Sequence, residues 1–433
     1  MTARGTTSSS PATRSWCLKM AARKSLQRNR NLGAAIGILA VLAAIGLLFP
    51  ASRAAAAKID ITPSISLDQT YDSNVFNTDG NEKGDFILRA TPALTFSLRM
   101  PETTLSLRSS LSTETYYKYS ELNSTNSAIT LAIDATPIRM TPRFSMVPSA
   151  HFVQAQNSIL RTQLVPTADP LAPSSIASEL ATRKSRDYGA ALRASYLLTE
   201  KTEFSLGGGF KKLQFLDNTT ANVGSRVISG DTSLSYKLTP LFSSGIFFNS
   251  SYNTFENGTD SRVFAGGLTG TYRYTPAFTI NARAGATQMK ETTTSGVPES
   301  TETSPYGAIS LIYSDRDYRA ALSGTFEQAG GGNLGVTTRR ETISFSVSDQ
   351  FALRWWADLR GTYQINRPLE SNVSGDLTSM TGTAGIRHQL LEWLEVHLSG
   401  SGFRQSGNGT LGTDLTRYSA FLGVALGKTY NVY

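Results

Sequence analysis

The side chains of this chain best placed to do chemistry are guanidinium and carboxylate groups on the polar side of alternating apolar–polar runs. They are Arg89, Arg99, Arg108, Arg193, Arg273, Arg283, Arg319, Arg360 and Arg387, with Glu114, Asp134, Asp231, Glu327, Asp358 and Glu395. Fixed charges of both signs around one aqueous space set up a field that orders water and selects solutes. Arginines grouped there also suit carboxylate- or phosphate-bearing solutes, through paired hydrogen bonds. The same groups could instead pair off and only fill and stiffen that space.

Catalysis has little to work with. The three histidines, His151, His388 and His397, are not at metal-ligand spacing from one another. Ser149 beside His151 is a neighbour on one strand face and makes no triad. No phosphate-cradling glycine loop or nucleophile elbow is visible. The single cysteine, Cys17, precedes an apolar run, so the chain beyond that run has no thiol for haem attachment, metal binding or catalysis. No enzyme activity, metal or cofactor is expected.

The elements that must position the charged groups are strands, and the first part of the chain is not among them. Residues 1–57 contain no Asp or Glu, a cluster of bases, an apolar run from Leu32 to Phe49 and then Ala54 to Ala57. This order predicts a secretory signal cut between Ala57 and Lys58, with Ala56 as the alternative site and Met20 as a possible start. A retained anchor is the competing reading, since the run is near the roughly 18-residue limit for a spanning helix. The signal carries eight of the 41 basic residues, and its loss leaves 33 against 33 acids. The high isoelectric point therefore belongs to the leader and argues for no nucleic-acid partner. One domain, residues 58–433, remains.

In that domain apolar and polar residues alternate over segments of about ten or more, longer than the roughly five or six usual in soluble sheets. Leu88, Ala90, Pro92, Leu94, Phe96, Leu98 and Met100 form one face of such a run, and Phe264, Gly266, Leu268, Gly270, Tyr272 and Tyr274 another. Eighteen segments are expected, beginning near Ile59, Asp85, Leu105, Ser127, Phe144, Arg186, Glu203, Arg226, Phe242, Arg262, Phe278, Pro305, Tyr318, Thr337, Trp355, Thr378, Leu394 and Leu415. Sixteen or twenty would satisfy the same pattern.

Short links such as Thr141-Pro142-Arg143 and Thr239-Pro240-Leu241 alternate with long polar ones such as Asn77 to Gly84 and Ser158 to Ser185. Unequal hairpin ends, an even strand number and aromatic residues at segment ends predict an all-β fold: a transmembrane up-and-down antiparallel β-barrel in a bacterial outer membrane, both termini periplasmic. The loop Ser158 to Ser185 is the candidate constriction. The ending Gly427 to Tyr433 partly resembles the signal read by the barrel-assembly machinery, and outer-membrane lipid is the other expected partner.

The stretch Leu67-Asp68-Gln69-Thr70-Tyr71-Asp72-Ser73-Asn74-Val75-Phe76 resembles the opening of outer-membrane β-barrel porins often encoded with exopolysaccharide secretion clusters. The motif spans ten residues; the architecture spans the whole domain. The resemblance implies a channel for an exported, anionic exopolysaccharide, working with periplasmic polysaccharide-export components. The alternatives are a general diffusion porin for small polar or anionic solutes and, further off, a barrel enzyme or a sheath for a separate multihaem cytochrome.

Overall fold

A computed structural model describes residues 58–155, 184–216, 223–293, 300–330, 336–369, 375–408 and 414–431. The expected signal, residues 1–57, and nearly all of the expected constriction loop lie outside them.

The chain forms strands β1 (Lys58–Asp72), β2 (Asp85–Met100), β3 (Thr103–Tyr116), β4 (Ser124–Ala135), β5 (Ile138–Thr141), β6 (Phe144–Ala155), β7 (Ser185–Leu197), β8 (Thr202–Phe215), β9 (Ser225–Lys237) and β10 (Phe242–Phe255). There follow β11 (Thr259–Arg273), β12 (Phe278–Thr293), β13 (Ser300–Ser314), β14 (Tyr318–Gly330), β15 (Thr337–Ala352), β16 (Trp355–Pro368), β17 (Leu377–Leu391), β18 (Leu394–Gly407), β19 (Leu415–Gly427) and β20 (Tyr430–Asn431). β4 and β5 pair in turn with β6, and β19 and β20 in one register with β1, so the twenty segments make eighteen barrel strands. Every pairing is antiparallel between neighbours, and β1 joins both β2 and β19, which closes the sheet.

Strand starts expected from alternation agree with these bounds to within three residues except at β13, which begins at Ser300 rather than near Pro305. Its first residues, Ser-Thr-Glu-Thr-Ser, carry no apolar alternation to read.

Register assigns the faces. Residues opposite each other on neighbouring strands point the same way. Asp68 lies opposite Arg89, Arg89 opposite Glu114, and Arg108 opposite Ala132. Followed round the ring, this face carries the charges and hydroxyls. The other face carries Leu67, Leu94, Leu206, Ile246, Leu268, Ile309, Leu322, Ile343, Leu359 and Leu398, all large apolar groups left exposed. An exposed greasy belt around a closed barrel is what hydrocarbon requires, because closure satisfies every ladder group and leaves no edge. Tyr236, Tyr272, Tyr274, Tyr313, Tyr318, Trp355 and Trp393 ring the short-turn end of this face. Some aromatics at segment ends do not belong to these girdles: Tyr116 and Phe255 are buried, and Trp356 shares the charged face with Arg387, whose guanidinium lies 5.0 Å from its ring centroid.

Three of the short turns share one device. Thr141, Thr239 and Thr275 are each followed by Pro and, at the third position, by Phe, whose N–H donates to the Thr Oγ1 at 3.0, 2.9 and 3.0 Å. Proline presets the first turn position and the hydroxyl takes the donor that the turn strands.

Prolines within strands sit where ladders stop. Pro92 falls in the gap between the Ala90–Thr113 and Ala93–Ser110 pairs, and Pro148 faces the break between β4 and β5. Pro305 lies just beyond Gly307–Phe326, the last pair of β13 with β14. Each lacks the N–H that a further rung would use.

Candidate functional site: the charged inner wall

The charged face lines the inside of the barrel. Its acids are largely matched to cations, on adjoining strands or, across Gly207 and Gly423, on the next strand but one. Arg89 holds Glu114 at 2.8 Å, and Glu114 is buried. Arg99 holds Asp60 at 2.7 Å, Arg193 lies 3.5 Å from Asp231, and Arg387 lies 3.9 Å from Asp358. Arg340 stands 3.7 Å from Glu327. Asp187 meets both His151 (3.2 Å) and Lys211 (3.3 Å), and Asp68 meets His397 at 2.7 Å. Between the charges run cross-strand hydroxyl pairs: Thr91 with Ser112, Ser195 with Ser205, Ser323 with Ser344 and Ser401 with Ser419.

All fifteen charged residues expected on the inner face fall on it by register. They divide in two. Arg89, Arg99, Arg193, Arg387, Glu114, Asp231, Glu327 and Asp358 are in ion pairs. Arg108, Arg273, Arg319 and Arg360 are exposed to the lumen with no carboxylate within 4.0 Å among the described residues, and Arg283 is half-buried and likewise without one. Asp134 and Glu395 lie on the same face.

Sequence reading missed Asp60, Asp68, Asp187, Lys211 and Arg340, although the same alternation puts them inward. It also missed Phe247 and Tyr306. Phe247 is an apolar residue on the serine-rich side of β10, and that misfit was the available signal.

Around Phe247 the wall folds sharply. β14 comes within 8 Å of both β11 and β12, although β13 lies between. Gly267 and Gly285 face each other across β11 and β12, and a Cβ on either would collide with backbone of the other strand, at Ala284 O and Gly266 O respectively. Without side chains there, Phe247 leans across two strands. Its ring centroid is 5.3 Å from that of Tyr306 and 5.7 Å from the Arg283 guanidinium. A cavity of about 530 Å³ opens beside them, lined also by Arg193, Glu203, Asp231 and Gln328.

The histidines take structural positions. His388 stacks on Trp355 with centroids 4.0 Å apart, on the outer face. No group of three or more His, Cys, Asp or Glu able to hold a metal occurs among the described residues.

No family model and no curated protein matches the sequence. Solved structures do. The chain is similar to Pseudomonas aeruginosa OccK5 (OpdH), with 10% identity over 85% of this chain and 98% of that one, TM-score 0.42. It is similar also to P. aeruginosa OccK2 (OpdF), solved in complex with glucuronate, with 8% identity over 87% and 98%, TM-score 0.43. A third is Acinetobacter baumannii OccAB3, with 9% identity over 87% and 100%, TM-score 0.43. At that distance the likeness bears on neither solute nor mechanism.

Proposed function

We propose that this chain is an outer-membrane channel through which small polar solutes diffuse, with a preference for anions. The observation that carries it is the division of one closed barrel into a greasy outside and a charged inside. Charges on the lipid side would each cost about 2–4 kcal/mol at mid-depth, whereas a wet interior removes that cost. The lumen-exposed Arg108, Arg273, Arg319 and Arg360, none with a carboxylate within 4.0 Å among the described residues, supply positive potential. Such a wall raises the local concentration of anions and lowers that of cations.

In this reading the short turns and both termini face the periplasm, the long loops face outward, the leader 1–57 is removed, and the barrel-assembly machinery inserts the chain. No step of chemistry on the solute is required. Reconstitution in planar bilayers tests the proposal. Stepwise conductance with a reversal potential favouring chloride over potassium is expected; an inserted barrel that passes no current would overturn it.

The export reading rests on the stretch Leu67 to Phe76. Its residues are occupied in closing the barrel: Asp72 binds Arg417, and buried Asn74 donates to Thr78 O (2.8 Å) and Thr416 O (3.2 Å). A deletion strain scored for surface polysaccharide decides that question directly.

A further inference from the structure

On the outer face of the barrel, charges collect at the long-loop end of a few strands. Lys212 on β8 lies directly opposite Arg226 on β9, and Arg262 on β11 directly opposite Lys290 on β12. All four share the outward parity of Leu206, Ile228 and Leu268. Like charges directly opposite on neighbouring strands repel and weaken the pair. The only acid on the outer face of β7 to β13 among the described residues is Asp260, and it accepts the Tyr252 hydroxyl at 2.9 Å. Lys212, Arg226 and Arg262 have no carboxylate within 4.0 Å among the described residues.

A third like-charged pair is treated differently. Arg339 on β15 lies opposite Arg367 on β16, at the same end and on the same face. There Glu341 and Asp376 both bind Arg367, the latter at 3.2 Å. The chain supplies its own anions to that pair and none to Lys212, Arg226 or Arg262.

Height places these bases at the edge of the apolar belt. Arg226 and Tyr236 stand ten residues apart on β9, as do Arg262 and Tyr272 on β11. Ten residues at about 3.4 Å each reach about 34 Å along the strand, or about 26 Å of height at a tilt of about 40°. With the tyrosines in the short-turn girdle, the arginines stand just past the roughly 25 Å apolar band, at head-group level. Rings of the opposite girdle hold them there: the Arg226 guanidinium is 5.4 Å from the Phe210 centroid and that of Arg262 5.5 Å from the Tyr252 centroid. Below them, exposed Ile228, Phe248 and Phe264 offer apolar surface to acyl chains.

A phosphate between two such bases turns their repulsion into attraction. It accepts paired hydrogen bonds from the arginine fork and meets the lysine as a point charge. We infer that the Lys212–Arg226 and Arg262–Lys290 pairs form a binding site for the phosphorylated head group of a lipid in the leaflet at the long-loop end. That this is the outer leaflet rests on the orientation proposed above; the binding does not.

Native mass spectrometry of the detergent-solubilised full barrel, titrated with diphosphoryl lipid A, tests the site without regard to sidedness or conductance. Saturable binding is expected. The double variant Lys212→Gln/Arg226→Gln should weaken it about thirtyfold and Arg262→Gln about fivefold, the worth of two bases and of one beside an anionic lipid surface. Arg404→Gln removes an exposed outward base at the same end of β18 and should change binding less than about twofold. Equal binding by the folded double variant, an equal loss in Arg404→Gln, or displacement of the lipid by inorganic phosphate would each overturn the site. A barrel that binds lipid A but passes no current would instead sink the channel reading and leave the site standing.

Discussion

Arg417 on β19 grips the carboxylate of Asp72 at the end of β1, its Nε 3.0 and 2.9 Å from the two oxygens, although the residues stand 345 apart in the chain. Both side chains are nearly buried, at 10% and 2% exposure. Arg417 Nη1 goes on to Asn77 Oδ1 at 3.1 Å, and the Asn74 N–H donates to Asp72 at 3.0 Å. The first and last strands are thus joined by a charged clasp beside their backbone ladder. Removing one partner leaves a buried charge uncompensated, which costs about 3–5 kcal/mol. Arg417→Leu and Asp72→Leu should each lower the unfolding free energy from urea titration by that order, and the double variant should lose less than the sum. Unfolding followed by tryptophan fluorescence in liposomes checks this; additive losses would show that the two residues act independently.

The clasp also marks where the legibility of the sequence ends. Alternation places Arg89, Glu114 and Arg360 on the inner face, because a two-residue period leaves no freedom once the apolar side is known. It does not show that Arg89 and Glu114 face each other while Arg108 faces Ala132, since that depends on register between strands. The Tyr71-to-Phe76 stretch stands out as a motif, but its partner Arg417 is visible only after closure. The fold at Phe247 is hidden for a related reason: glycine pairs such as Gly267 and Gly285 read as strand composition, and their consequence is a packing event three strands wide.

The apolar belt gives a position-specific prediction. On β16, Trp355 and Tyr363 mark the two ends of the outer face, with Leu359 midway, and all three are exposed. Eight residues at about 3.4 Å per residue span about 27 Å along the strand, or about 21 Å of height at a tilt of about 40°, which lies within the roughly 25 Å apolar band of outer-membrane barrels. Leu359→Arg should therefore cost about 2–4 kcal/mol of folding free energy in a bilayer. Its neighbour Arg360 already is an arginine, on the other face, and Arg360→Ala should change stability by less than about 0.5 kcal/mol. Equal losses from the two, measured by urea titration in liposomes, would contradict the face assignment.

Arginines of the lumen should separate by function according to whether a carboxylate holds them. Arg108→Ala, Arg319→Ala and Arg360→Ala remove uncancelled positive charge and should each move the reversal potential toward cation preference. Arg89→Ala instead leaves buried Glu114 without its cation at 2.8 Å, so its main effect should be on folding, by about 3–5 kcal/mol. Bi-ionic potentials and the fraction of heat-modifiable folded barrel on gels read the two effects apart. Selectivity indifferent to all three exposed arginines would remove them from the solute path.

The break between β13 and β14 offers a last test, because it is written in one residue. β13 pairs with β12 up to Ser300–Glu291, and β14 with β15 up to Gly330–Thr337, but the two stop pairing with each other at Gly307–Phe326. Pro305 stands next to that point with no N–H to offer. Beyond it the end of β14 carries Glu327 and Gln328 to the cavity rather than continuing along the wall. Pro305→Thr supplies the missing donor and a residue that favours strands, so further rungs can form, each worth about 1 kcal/mol. The end of β14 should then be drawn toward β13, raising single-channel conductance and slowing hydrogen exchange at Glu327 to Ala329. Unchanged exchange in the variant would mean that the proline does not cause the break, and that the lean of Phe247 over Gly267 and Gly285 holds β14 in place by itself.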